Sequence, residues 1–364
     1  VSSREASAVS GNTPASTSPS PSPASSPPAA EAAAPSPSGP GRGRGLAAAV
    51  GRGLIRRREL SIFVVCVAAA IYFAVTGSGF TTGENYHTIA QYVAPWIIVA
   101  AGEVMLLVCG QIDLSAGFVF TLAPFLVTTF TGDGLPLFPA VVCGLLLCAA
   151  IGLVNGLIHT LFNLASFIVT LGMAFFLEGM SLIASNAQPV SAPASGWLVS
   201  VLGKSRWSEL IWALVIVAVM QVVLSSTRFG IGTQAVGSNP VGAAESGIRT
   251  NRIKNVNFVV ASTLAGFGGI LDGIRVGSFD PTNGGNETMF LAVASAVIGG
   301  TALLGGSGTV VGALLGALLL GIVYDGFNLT GVNANAFDVV LGIAIVAAML
   351  LNVYLSVLRK RASR

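Results

Sequence analysis

Charge is what this sequence most lacks. Only 9% of its 364 residues are Asp, Glu, Lys or Arg, against about 25% in an ordinary soluble domain, which argues against a water-soluble fold. Metal-binding and catalytic residue types are scarce as well. The two histidines, His87 and His159, lie far apart with no cysteine or second histidine at ligand spacing, so no metal site is expected. Cys66, Cys109, Cys143 and Cys148 each sit inside an apolar run and read as small hydrophobes rather than a disulfide framework. Gly203-Lys204-Ser205 suggests a phosphate loop, but Leu198 stands where the required glycine would be. The glycine-rich run 299–308 has no lysine to complete a phosphate cradle. No cofactor is expected, and a membrane enzyme is disfavoured by the lack of His, Cys or paired carboxylates at catalytic spacing.

What is present is apolar bulk. Hydrophobic residues make up 53% of the chain, the mean hydropathy is +0.80, and glycine contributes 45 residues. A span needs about 20 apolar residues, and ten candidates follow one another near 60–76, 88–109, 114–131, 137–159, 166–185, 208–225, 255–276, 289–304, 309–328 and 336–358. The predicted fold is all-α, a polytopic membrane bundle of about ten transmembrane helices. Residues 59–364 form the transmembrane domain. Residues 1–58 form a Ser/Pro/Ala-rich tail, expected to be disordered and cytoplasmic, that ends in the membrane-flanking arginines Arg52, Arg56, Arg57 and Arg58. No charged-then-apolar block opens the chain, so a cleaved signal peptide is not expected.

The net charge of +3 hides a segregation of basic residues, so it supports no nucleic-acid partner. With both termini on the cytoplasmic side, the tail, the loop 226–254 and the C-terminus hold 15 of the 18 Lys and Arg residues, as the positive-inside rule requires. Lys204 and Arg206 remain outside, and Arg275 is expected to snorkel from the end of the seventh span.

Carboxylates within spans carry information because each costs about 2.5 to 3.5 kcal/mol at the bilayer centre on insertion scales. Glu103, Glu178, Asp272 and Asp325 are therefore expected to face the bundle interior or a water-filled path. A structural hydrogen bond and a transport role both account for them, and Asp272 is spaced to pair with Arg275. Asp113 precedes the third span and is read as a cap for its free N–H groups, with substrate contact as the alternative. Gly308, Gly312 and Gly316 recur every fourth residue and predict one bare helix face for close packing.

The most informative polar stretch is 226–254. Asn239 is a good N-cap, Pro240 suits the first helical position and Gly247 supplies a stop, which predicts a two-turn helix over 240–246 containing Ala243, Ala244 and Glu245. So short a helix is not stable alone, which implies that something else packs on it.

Four blocks resemble the permease subunit of bacterial ABC sugar importers of the ribose type. The first is IDLSAG at 112–117, where Gln111, Ala116 and Phe118 depart from the usual GGIDLSVGS. The second is Asn155-Gly156 with SFIVTLGMAFFLEG at 166–179, Ala165 replacing a common proline. The third runs from Thr227-Arg228-Phe229-Gly230 through Ala235-Val236-Gly237, Asn239 and Ala243-Ala244 to Gly247-Ile248. The fourth spans Leu264-Ala265-Gly266, Gly299-Gly300-Thr301, Gly305-Gly306, Gly308, Gly312 and Gly316. Glu287 is kept, while Met289 and Phe290 replace a polar, acidic stretch. The resemblance covers about residues 60–356.

It implies a multi-pass protein of the bacterial cytoplasmic (inner) membrane, surrounded by membrane lipid and paired with a second permease copy as a homodimer. An ATP-binding ABC subunit and an extracytoplasmic solute-binding protein would complete the assembly, with a monosaccharide or another small polar solute as cargo. Substrate would pass between the permeases, and the 240–246 helix, with Asn239, Pro240, Ala243, Ala244, Glu245 and Gly247, would couple them to the ATPase. The rival reading is an ion-coupled secondary transporter, whose broken helices at glycine-rich breaks would look similar.

Overall fold

In the computed structural model, residues 58–333 and 335–362 are described. The tail up to Arg57 and the terminal Arg364 lie outside the described residues, and with them the expectations placed on Arg52, Arg56 and Arg57.

The chain forms the expected all-α polytopic bundle. Its long helices are α1 (Arg58–Thr76), α2 (Gly83–Val108), α3 (Ala116–Gly132), α4 (Leu137–Phe162), α5 (Ser166–Ser185) and α6 (Ser208–Ser226). Two shorter helices, α7 (Arg228–Ser238) and α8 (Pro240–Glu245), separate these from α9 (Thr250–Val276), α10 (Gly285–Ile298), α11 (Val310–Thr330) and α12 (Asn335–Ala362). Among the described residues seven helices are long and apolar enough to cross a membrane, and α3, α10 and part of α12 supply three shorter apolar segments. Together they match the ten expected spans to within a few residues, except α10. Its helix ends at Ile298 rather than near 304, because Gly300, Gly305 and Gly306 take positive φ values (88°, 87° and 82°) that an α-helix does not allow.

α2 lies at the centre and α9 wraps it together with α3 and α4. Small residues make this possible. A Cβ on Gly102 would come within 2.7 Å of the Ala261 backbone, and one on Gly152 or Gly269 would run into the carbonyl of Phe258 or Phe120 respectively. In lipid, where burial of apolar surface gives no advantage between helices, such close backbone approach is a main source of association. α11 meets α10 in the same way: a Cβ on Gly312 or Gly316 would strike the Gly299 or Ser295 carbonyl. Gly308 does not share that helical face. It precedes the Thr309 N-cap, where it fits under Thr301 and Val108.

The connection between α5 and α6 is ordered by a short antiparallel pairing of β1 (Val190–Ser191) with β2 (Ser278–Phe279), which brings it against the end of α9.

Candidate functional site

Three places carry the polar chemistry of the bundle. The first is the α7–α8 segment. α7 replaces the loop expected over 226–238, where three glycines stand among polar residues. It forms because Thr227 caps it, accepting from Gly230 N at 3.1 Å, and because Gly230 and Gly232 let it lie close on α6 and α9. Beyond it, Asn239 Oδ1 accepts from Gly242 N at 3.0 Å and Pro240 occupies the first helical position. Ile248 N donates to the Ala243 carbonyl and Gly247 N to Ala244, closing the helix at Gly247 with φ +83°.

The two sides of α8 differ. Ala243 faces inward, packed with Cys109 and Val236, whereas Pro240, Val241, Ala244 and Glu245 are exposed, Val241 at 65%. α8 thus rests on the connection that leaves α2. Close by, Gly306 N donates to the Val108 carbonyl at 2.8 Å, and a Cβ on Gly237 would collide with that same carbonyl. The end of α7, the 109–115 connection and the glycine-rich 299–309 connection therefore meet backbone to backbone.

The second place is the interior around Asp113. Its Oδ1 accepts from Ser115 N at 2.8 Å and from the Ser115 hydroxyl, and Asn155 Nδ2 donates to the Ser115 hydroxyl at 2.9 Å. This corrects the capping expectation. Asp113 turns back onto Ser115, which occupies the N-cap position of α3 without a side-chain capping bond. The amides of Ile112 and Leu114 donate instead to the Ser166 and Thr170 hydroxyls on α5, an arrangement that ties the IDLS segment to SFIVT. Glu103 is fully buried beside Asp113.

The third place is the end of the bundle formed by α9, α6 and α10. Arg275 does not snorkel outward. It lies between Asp272, with which it pairs as the spacing predicted, and Glu209 at 2.8 Å. Asn283 Nδ2 donates to Asp272 Oδ2 at 2.7 Å. Asp272, Arg275 and Asn283 border a cavity of about 340 Å³ whose walls include Tyr92, Trp96, Tyr324 and Glu287. The Tyr92 and Tyr324 rings meet edge to face at 5.2 Å. Aromatic faces beside carboxylate and amide groups suit a small polyhydroxylated solute. Sequence reading passed over Glu209 because it sits in the first turn of its span, where a carboxylate ordinarily meets water.

The remaining acids divide. Asp325 is buried and accepts from Asn85 Nδ2 at 2.7 Å, a hydrogen bond that joins α2 to α11. Glu178 does not face the interior of this chain. It is exposed on α5, among Phe175, Phe176 and two glycines, Gly172 and Gly179, with nothing within 4 Å of where their Cβ atoms would stand. Among the described residues no group of three His, Cys, Asp or Glu is placed to hold a metal ion.

Comparison with known proteins places this arrangement among transport proteins. The family described as branched-chain amino acid transport system / permease component matches residues 85–349. The xylose/arabinose import permease XylH of Sulfolobus acidocaldarius is 38% identical, covering 85% of this chain and 88% of its own. The ribose import permease RbsC of Escherichia coli K12 is 32% identical over 81% and 93% of the two chains. The D-allose permease AlsC of the same organism is 28% identical over 80% and 90%. No solved structure matches the chain.

Proposed function

The chain belongs to the branched-chain amino acid transport system / permease component family, and from that premise we propose that it is the membrane subunit of an ATP-driven monosaccharide importer. Its partners are a separate ATP-binding subunit that hydrolyses the nucleotide, an extracytoplasmic solute-binding protein and a second copy of itself. The xylose/arabinose, ribose and allose permeases among its relatives support a monosaccharide as cargo.

The observation that carries the reading is α8. A six-residue helix is too short to persist unaided, yet here it is capped at both ends, seated on the bundle through Ala243, and exposes Val241 and Ala244. A rigid element of this kind passes a push from a bound ATPase to whatever lies beneath it. Beneath it are the 109–115 and 299–309 connections, which precede α3 and α11. An ion-driven carrier has no use for such a helix. Both termini and α8 are assigned to the cytoplasmic side by the basic residues around them.

The exposed carboxylate of Glu178 supports the second copy. Facing lipid in the second half of a span it would cost a few kcal/mol; facing a neighbouring permease across a hydrated path it would not. Sugar delivered at the opposite end from α8 would first meet the aromatic and carboxylate walls around Asp272.

The test is substrate-stimulated ATP hydrolysis by the reconstituted complex. Val241→Asp places a charge on the outward face of α8, and Gly247→Val forces a branched residue into a left-handed conformation that costs about 1 kcal/mol or more. Both variants should insert normally and lose stimulation. Ala243→Trp should act differently, by lifting α8 off the bundle. Wild-type hydrolysis in Val241→Asp and Gly247→Val would remove the coupling assignment.

A further inference from the structure

The Gly203-Lys204-Ser205 triplet, which fails as a nucleotide loop, precedes α6 at the end of the bundle opposite α8. A Cβ on Gly203 would strike the Leu271 carbonyl on α9, so the chain here lies tight on the bundle. His87 Nε2 meets the Arg206 carbonyl at 2.6 Å, and the His87 and Trp207 rings pack edge to face at 5.0 Å. Lys204, Ser205, Arg206 and Arg275 line a polar cavity of about 350 Å³. Arg275 is committed to Glu209, the acid in that wall. Lys204 is exposed and makes no ion pair with the described residues. Arg206 pairs with Glu84 at 2.7 Å, but both side chains are more than half exposed. Such a pair contributes little, and the guanidinium has donors left for a second anion.

A second cavity, of about 550 Å³, opens from the same place: Ala90, Trp207 and Leu210 belong to the walls of both. Its lining is wholly apolar or aromatic and comes largely from α1, α2, α6 and α11. α1 packs chiefly on α11, where Cys66 Sγ donates to the Leu315 carbonyl at 3.3 Å, while α6 packs on α2 and α11. A groove is left between α1 and α6. From Tyr86 to Ile97 on α2 it runs about 17 Å at 1.5 Å per residue, close to half the roughly 30 Å hydrocarbon thickness. It is therefore one leaflet deep. Tyr86 and Trp207 stand half-exposed at its rim, as aromatic side chains do at headgroup level. α5, the helix proposed to meet a second copy, packs on α3 and α4 instead, so this groove lies away from that surface. Left empty, it would forfeit dispersion contacts along its whole length.

A cationic mouth joined to an apolar groove one leaflet deep matches an amphiphile with an anionic phosphate head. We propose that this is a site for one anionic phospholipid, its phosphate held by Lys204, Ser205 and Arg206 and an acyl chain laid between α1 and α6. A free phosphate would leave the groove unfilled, and a zwitterionic lipid would bring its own cation against Lys204. The bound lipid ties α1 to α2 and α6. The site depends on the spanning fold and not on the cargo or on an ATPase partner.

The test titrates the full chain, delipidated in detergent, with phosphatidylglycerol, phosphatidylcholine or inorganic phosphate, read by native mass spectrometry and by the unfolding midpoint. Phosphatidylglycerol should be retained at about one molecule per chain and raise the midpoint. Phosphatidylcholine should bind about fivefold more weakly or worse, and phosphate should do neither. Lys204→Gln should weaken phosphatidylglycerol binding about fivefold, the effect of removing one cation near the membrane surface. Ala90→Phe, which fills the junction of the two cavities, should weaken both lipids alike; if it does not fold, Leu214→Trp on the exposed groove wall serves in its place. Arg252→Gln, at the other end of α9, should change nothing. Equal retention of the two lipids, or undiminished retention in Lys204→Gln, would overturn the proposal. So would stabilisation by inorganic phosphate equal to that by phosphatidylglycerol, which would make this a free-anion site. A disulfide between two Leu214→Cys chains in the membrane would give the groove to a second copy and overturn it as well.

Discussion

α2 and α5 are similar in sequence terms, each an apolar span with one carboxylate in its second half, and they have opposite surroundings. In its most apolar stretch α2 is 89% buried and α5 only 28%. Glu103 is enclosed by this chain's own helices, whereas Glu178 looks outward from them. Hydropathy alone cannot separate the two, because it counts apolar residues without saying which face meets a neighbour. The difference puts α2 inside the bundle and leaves α5 on its surface, where the proposed second copy would meet it.

The largest effect that would break this comparison comes from bulk. Gly102→Leu would press α2 against Ala261 on α9, and overpacking of this kind costs about 1–3 kcal/mol or more. It should eliminate the monodisperse peak in fluorescence-detected size exclusion, whereas Gly172→Leu on α5 should leave each chain folded. Equal tolerance of both changes would mean that α2 is not the central helix.

A second test sharpens the role of α5. Phe175→Cys, on the exposed face beside Glu178, should form a disulfide between two copies under mild oxidation in the membrane. Cysteine at Leu107, fully buried on α2, should not. A chain that stays monomeric on a gel in both cases would return Glu178 to the lipid.

Smaller effects are expected where a single hydrogen bond is removed. Asn85→Ala strands the Asp325 carboxylate, which should lower stability by about 1–3 kcal/mol, read as a fall in the unfolding midpoint. Asn239→Ala removes the α8 cap, worth about 1 kcal/mol. It should weaken substrate stimulation of the ATPase partially, less than Gly247→Val, with Asn239→Asp retaining most of it.

Much of this was legible in the sequence. The ten apolar helices were, apart from the early end of α10, because the length of an apolar run is a direct consequence of bilayer thickness. The capped helix over 240–245 was also legible, since Asn239, Pro240 and Gly247 each act through their own backbone. What escaped depends on contacts between distant segments. α7 is rich in glycine and forms a helix because α6 and α9 support it. Asp113 turns to Ser115 because α5 hydroxyls already take the neighbouring amides. The inward direction of Ala243 is set by Cys109, more than a hundred residues away in the chain. Arg275 is held half-buried because Glu209, a residue with no distinguishing sequence context, pairs with it.

The central claim is that this bundle moves solute only when a partner's ATP hydrolysis pushes on α8. The direct measurement is uptake of radiolabelled pentose or hexose into proteoliposomes containing the permease, its ATP-binding subunit and its solute-binding protein. The account predicts accumulation that requires ATP and is lost in Val241→Asp, with no accumulation by the permease alone under a sodium or proton gradient. Concentrative uptake driven by either gradient in the absence of ATP would contradict it.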